Sequence, residues 1–174
     1  MPNWVECTLE ITGAPDIVSD CLASMGSPES EQEDARLLDF ERVIPLPQEL
    51  RERVEAPCAT EAEWSDWWWQ MTGLWGTKWN ADHVTVECQP DGHGALVKFY
   101  TAWAPPRPVI VVLADRFPSL EFDFVYLDEQ APIAGRARRA PGEGWATIDA
   151  RYDDGFCRAA VEAAPWDPWG DATA

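Results

Sequence analysis

The sequence predicts an α+β protein with one core, in which an antiparallel sheet and its helices follow the order βαββαβ. Residues 3–12 alternate between apolar and polar side chains, as in a half-buried strand, and residues 17–25 are apolar at helical spacing. Residues 83–88 and 95–101 are two strand-like runs around a segment of Pro, Asp, Gly and His, which predicts a hairpin. With a second helix and a last strand, this is the order of a split βαβ sheet, and we expect the helices on one face.

The first half of the chain carries an insertion between the first helix and the hairpin. Gly26 ends the helix predicted at 17–25. Residues 27–36 are rich in Ser and Glu without periodicity and predict a mobile loop. Residues 37–47 predict a short extended segment that ends at two prolines. Together with the Trp-rich segment that follows, these segments make residues 27–80 an insertion into the βαββαβ order of the core.

A Trp-rich helix is predicted from Thr60 to Gly73. Thr60 and Glu63 stand at the spacing of a capping box, and Gly73 is placed to end the helix. Trp69 points away from the apolar face of this helix. That face is expected to be core and carries Trp64, Trp67, Trp68 and Met71.

The second half of the chain supplies the remaining elements. The apolar run at 109–117 suits a strand or a helix, and the proline before it favours a helix start. Residues 120–127 alternate and predict a strand, and weaker strand patterns lie at 132–139 and 145–150. A short helix is predicted from 154 to about 165, and the tail after it is expected to be frayed.

Composition and charge limit the classes of function. The 174 residues include 31 acidic and 13 basic side chains, which gives a formal net charge of -18. A field of that sign repels nucleic acid and attracts basic surfaces. The five Cys include no CxxC pair, which fits reduced thiols, and no stretch has the length and apolarity of a membrane span. We therefore expect a cytoplasmic protein without membrane association.

Motifs for catalysis, metals and cofactors are absent from the sequence. His83, Cys88 and His93 are the one grouping with metal-ligating chemistry, but His83 and Cys88 should face opposite sides of the hairpin. No Gly-rich phosphate loop and no nucleophile elbow occurs. We predict no catalytic residue, no metal and no cofactor, and we lean towards a protein that is not an enzyme.

The basic run Arg136, Arg138 and Arg139 alternates in a way that could place it on one face of a strand, with Arg151 nearby. Solvated surface is the favoured interpretation. Local ion pairs and a contact in a homodimer are the alternatives.

Aromatic side chains of the insertion exceed what one helical stripe can bury. Together with a Lys and an Asn, they predict an exposed aromatic surface that binds a partner, because Trp and Tyr are typical interface anchors. The predicted binding residues are Trp69, Trp75, Lys78, Trp79, Asn80 and Trp103.

Five motifs give the chain a resemblance to a known family. They are MPNW at 1–4, LDFERVIPLP at 38–47, WGTKWNA at 75–81, FYTAWAPP at 99–106 and PVIVVLADRFPSLEF at 108–122. In this order they resemble the YubB/Api92-like proteins, the DUF1281 group. The resemblance implies a ferredoxin-like domain and an origin in phages, plasmids or other mobile elements, and it implies no activity.

The resemblance also sets the expected domain limits. Residues 1–135 are expected to form the ferredoxin-like domain, with the insertion at about 27–80. Residues 136–174 are expected to be a C-terminal extension packed on the same core. The chain departs from the expected first motif at Val5, where such proteins often carry Cys.

The function predicted from charge and resemblance is that of a non-enzymatic accessory or anti-defence protein of a mobile element. Such an inhibitor, of the anti-CRISPR type, would bind a basic surface of a host protein complex and could act as a nucleic-acid mimic. Two alternatives stay open at this point. One is a small enzyme with a site beside the Trp-rich insertion, and the other is a module that binds single-stranded nucleic acid through exposed Trp.

Overall fold

The computed structural model describes residues 3–27, 36–55, 61–128 and 133–151. The elements in chain order are β1 (Trp4–Thr12), α1 (Pro15–Met25), α2 (Phe40–Val43), α3 (Gln48–Glu55), α4 (Glu61–Trp75), β2 (Asp82–Cys88), β3 (Gly94–Ala102), α5 (Arg107–Arg116), β4 (Glu121–Asp128), β5 (Ile133–Arg139) and β6 (Ala146–Arg151).

The six strands form one antiparallel sheet in the order β2-β3-β1-β4-β5-β6. The first four positions reproduce the order of a split βαβ sheet, in which the first and last strands of the motif lie side by side. The predicted α+β fold class is confirmed. The strands β5 and β6 continue the sheet beyond β4, and the division of the chain at residue 135 stays a prediction.

The core lies between one face of the sheet and the helices. The odd-numbered side chains of β1 are buried there, together with apolar residues of all five helices. Phe99 of β3 stacks on Phe124 of β4 with ring centroids 6.4 Å apart, and it meets Phe40 of α2 edge-on at 6.3 Å. This aromatic contact ties the central strands to the insertion.

The prediction of an extended segment at 37–47 is wrong, because α2 forms a helical turn at Phe40–Val43 and α3 follows it. The Asp39 carboxylate accepts a hydrogen bond from the backbone N–H of Glu41 (3.0 Å) and caps the turn. The apolar spacing of this segment suits a strand as well as a short helix, so the local pattern could not decide. Pro47 precedes α3, and its carbonyl accepts the first hydrogen bonds of the helix, from the N–H groups of Leu50 and Arg51 (3.0 Å each).

The other predicted elements agree with the structure where it describes them. The hairpin, the helix after Pro106 and the strands at 120–127, 132–139 and 145–150 are confirmed, and α4 runs two residues past Gly73. Most of the loop predicted at 27–36 lies outside the described residues, as do Thr60 and the helix predicted at 154–165. Among the described helices, none has the length and apolarity that crossing a membrane requires.

Candidate functional site

A concave pocket opens on the sheet face that is turned away from the helices. It has a volume of about 460 Å³ and is lined by Trp4, Glu6, His83 and Tyr100. Trp4 and Glu6 are even-numbered residues of β1, and the sheet register places Glu6 directly opposite Tyr100 of β3. The pocket therefore follows from side-chain alternation in two paired strands.

An aromatic cluster surrounds this pocket and consists of Trp4, Trp79, His83 and Tyr100. The rings of Trp4 and Trp79 have centroids 6.4 Å apart, and the His83 ring stands edge-on to Tyr100 at 6.1 Å. Trp4, Trp79 and Tyr100 each keep more than a third of their surface exposed. An exposed aromatic group of this size on one face is typical of a binding surface.

A tight turn after α4 brings Trp79 to the cluster. Gly76 has a φ of 81°, and a Cβ at this position would lie 2.7 Å from the Cδ of Pro108, so a larger residue would collide there. The buried Thr77 then donates a hydrogen bond from its hydroxyl to the carbonyl of Ala102 (2.7 Å). This bond fixes the segment that carries Lys78 and Trp79 against the end of β3.

Two residues near the pocket have backbone conformations that L side chains rarely adopt. His83 has a φ of 49° and Trp103 a φ of 72°. The register of β2 against β3 is irregular between Asp82 and Thr85, and this bulge turns the His83 ring onto Tyr100. The N–H of Trp103 donates to the carbonyl of Asn3 (2.8 Å), which joins the strand ends beside Trp4. Such outliers are typical of functional sites.

The structure brings two of the predicted binding residues to the cluster and places a third beside it. Trp79 is a member of the cluster, and the Lys78 ammonium lies 4.8 Å from the centroid of the Trp79 ring. Trp103 is exposed and follows β3 at the same end of the sheet. Trp69 is also exposed, but it lies on α4, where its ring contacts Trp68.

Trp75 and Asn80, which were also predicted to bind a partner, have internal contacts instead. Trp75 is buried, and its indole N–H donates to the carbonyl of Ile44 (2.9 Å). The Asn80 side chain accepts a hydrogen bond from the N–H of Phe40 (2.9 Å) and donates one to the Asp39 carboxylate (2.7 Å). These two residues hold the insertion to the domain rather than forming a surface.

Sequence reasoning missed Trp4, Glu6 and Tyr100 as lining residues of the pocket, and it singled out His83 as a candidate metal ligand. The alternation of residues 3–12 did contain a signal, because even-numbered positions of that strand face away from the helices. The meeting of Glu6 with Tyr100 depends on strand register, which the local pattern does not give. His93, another of the three candidate metal ligands, has its Nδ1 2.9 Å from the carbonyl oxygen of Gly13.

A charged network lies on the same sheet face, towards the other edge. Arg136 of β5 donates from Nε to Asp123 of β4 (2.8 Å), and both side chains are largely buried. Arg138 donates from Nε to Glu121 (2.7 Å) and is exposed. The alternative of local ion pairs is therefore confirmed for the basic run. Solvated surface was the wrong interpretation for Arg136.

Arg139 also departs from the prediction, because it does not share a face with Arg136. It pairs with Phe122 of β4, whose side chain faces the helices, and its guanidinium donates to Asp115 of α5 (2.5 Å). The basic run therefore divides between the two faces of the sheet.

Glu10 lies beside this network, and its pKa is raised. Burial is the main cause, and the nearby carboxylates of Asp123 and Glu121 add to it, while Arg136 and Arg138 act in the opposite direction. Ionisation of Glu10 is therefore less favourable in the folded protein than in the unfolded chain.

We expect the variant Glu10→Gln to have a higher Tm than the wild type at pH 7. Because the folded pKa of Glu10 lies above its unfolded value, stability falls as the pH rises from the unfolded pKa through the folded one. The difference in Tm should shrink towards about pH 3, where the carboxyl is protonated in both states. Thermal melts at both pH values test this, with Glu87→Gln as a control for the loss of one exposed carboxylate. A lower Tm for Glu10→Gln at pH 7 would contradict the expectation.

Comparisons with known proteins bear on the fold. A family model described as the ferredoxin-like domain in Api92-like protein matches residues 74–165, which is just over half of the chain. The crystal structure of a protein Api92 from Yersinia pseudotuberculosis, of the family DUF1281, is similar with a TM-score of 0.55 at 9% sequence identity. The alignment covers 86% of this chain and 98% of that chain, and at this identity it speaks to the fold alone. No curated protein matches the sequence.

Proposed function

The chain belongs to the family of ferredoxin-like domains in Api92-like proteins, and we propose that it is a non-enzymatic accessory protein of a mobile element that inhibits a host defence complex. It acts by binding a basic surface of that complex, where it takes the place of nucleic acid. The net charge of -18 is the observation that carries this proposal. Charge of this size steers association towards basic partners and away from nucleic acid.

The distribution of charge supports the same partner class. Most of the basic side chains that the structure describes are engaged within the chain, whereas exposed carboxylates stand on the outer surface of the helices. Asp16 and Asp20 of α1 and Glu49 and Glu52 of α3 are examples of such exposed acids. Internal contacts engage Arg51, Lys78, Lys98, Arg107, Arg116, Arg136, Arg138 and Arg139.

The proposal predicts salt-sensitive capture of a nucleic-acid-binding protein. The immobilised chain is incubated at about 50 mM salt with nuclease-treated bacterial lysate, and bound proteins are identified by mass spectrometry after elution at about 500 mM salt. We expect a protein with a basic surface that excess double-stranded DNA also displaces, because both ligands use the same surface. The purified partner should then lose DNA binding when the chain is added.

A charge-reduced variant provides the control. Replacing Asp16 and Asp20 by Asn, and Glu49 and Glu52 by Gln, removes four exposed negative charges without touching the core. We expect this variant to capture less partner and to show a weaker dependence on salt. Equal capture by the variant, or a partner that salt and DNA do not displace, would overturn the proposed function.

A further inference from the structure

The pocket of Trp4, Glu6, His83 and Tyr100 combines aromatic walls with one carboxylate. Aromatic faces attract cations through their quadrupole, and a carboxylate supplies the opposite charge. The pocket is open to solvent, and its volume of about 460 Å³ lies within the usual range for ligand-binding clefts. Its chemistry is therefore that of a site for an organic cation.

The chain itself shows how a cation lies on this aromatic cluster. The Lys78 ammonium stands 4.8 Å from the ring of Trp79 and 5.8 Å from that of Trp67, within the distance of a cation–π contact. Trp79 in turn contacts Trp4, which forms the pocket wall. One side of the cluster thus holds an internal cation, Lys78. The pocket side carries the carboxylate of Glu6 and has the opposite charge.

We propose that this pocket receives one arginine side chain of the basic partner and so fixes the orientation in which the acidic protein binds. The inference rests on the proposed function, because the arginine comes from that partner. A guanidinium is planar, stacks on aromatic faces and can bind a carboxylate through two N–H groups, whereas an ammonium is a compact and strongly hydrated charge. Arginine is also enriched among the residues that dominate binding energy.

The conformation of the pocket supports a specific site rather than a general acidic surface. The bulge at Asp82–Thr85 and the positive φ of His83 hold one wall in place, and the bond between Trp103 and Asn3 holds the strand end beside Trp4. Strained positions of this kind persist where the surrounding structure fixes them. Binding to a preformed pocket immobilises fewer side chains. The smaller loss of conformational entropy increases the affinity.

The first test uses N-acetylarginine amide as a probe of the full chain labelled with ¹⁵N. Its binding is followed by the indole N–H signal of Trp4, which is assigned with the variant Trp4→Phe. We expect saturable shifts with the arginine probe and roughly tenfold weaker binding of N-acetylcitrulline amide, which has the same shape without the charge. Citrulline binding equal to arginine, or no saturable shift, would overturn the proposal.

Variants locate the bound cation. Glu6→Gln should weaken arginine binding about tenfold, and Glu87→Gln, which removes a carboxylate of the same sheet face outside the pocket, should leave it unchanged. N-acetyllysine amide should bind more weakly than the arginine probe. Equal affinity of Glu6→Gln and Glu87→Gln, or of the lysine and arginine probes, would reject the assignment. Thermal melts of both variants check that they are folded.

A second readout separates this inference from the proposed function. In the salt-sensitive capture, Glu6→Gln should retain several-fold less partner than Glu87→Gln, since each variant lacks one charge. Equal retention overturns the arginine site and leaves charge-driven binding intact. Binding of the arginine probe without any captured partner overturns the proposed function and leaves the pocket as a cation site of the chain.

Discussion

Replacing Trp75 by Ala is expected to lower the free energy of unfolding by about 4 kcal/mol, which is typical when a large buried aromatic is truncated. The side chain is 3% exposed, meets Phe40 edge-on at 5.8 Å and donates a hydrogen bond to the carbonyl of Ile44. The substitution leaves a cavity and removes the partner of that carbonyl. Urea unfolding measured by circular dichroism gives the change.

Trp69→Ala is the matched control for this prediction, because Trp69 lies on the same helix and is 66% exposed. Its removal should change stability by less than about 0.5 kcal/mol. The two variants lose the same atoms and differ in burial. Similar urea midpoints for Trp75→Ala and Trp69→Ala would contradict the burial of Trp75 in the core. A loss of about 4 kcal/mol is a large part of the stability of a single domain.

Local sequence patterns were sufficient for most of the sheet. The alternation in β1, the turn residues of the β2–β3 hairpin and the proline before α5 each act over a few residues, so each predicted its element correctly. The segment that forms α2 was different. Its apolar residues Leu38, Phe40 and Val43 suit a strand or a helical turn, and a hydrogen bond from the N–H of Phe40 to the distant Asn80 is a contact that the local pattern does not show.

The candidate site depends on contacts between segments far apart in sequence, and for this reason it was predicted in part. Trp75 and Trp79 stand four residues apart in one aromatic motif, yet one is core and the other belongs to the exposed cluster. The turn at Gly76 separates them, because the helix ends there and the chain changes direction. Composition could indicate an aromatic surface, but the direction of each side chain depends on the backbone conformation, which composition does not give.

The same sheet face carries two charged features with opposite roles. Near β2 and β3, Glu6 lines the open pocket of the proposed arginine site. Near β4 and β5, the Asp123 carboxylate is largely buried and is bound by Arg136. A site that recognises a partner keeps its charge accessible, whereas a buried pair holds neighbouring strands together. Variants of the two features should therefore affect binding and stability separately.

Arg136→Met is expected to lower the free energy of unfolding by about 3 kcal/mol, because removing one partner of a buried ion pair leaves the other charge uncompensated. Asp123, whose side chain is 9% exposed in the wild type, would lose a hydrogen bond of 2.8 Å, and Glu10 would lose a nearby cation. Arg138→Met is the matched control, since that side chain is exposed and its pair with Glu121 should contribute less than about 1 kcal/mol.

The double variant Asp123→Leu with Arg136→Met tests the reason for this loss. If the destabilisation comes from an unpaired buried carboxylate, removing that carboxylate as well should restore most of the stability, since apolar pairs often replace buried ion pairs at little cost. If the loss came from the packing of the arginine stem, the second substitution would not restore it. Urea unfolding of the two single variants and the double variant gives the coupling energy, and a value near zero would contradict the ion-pair explanation.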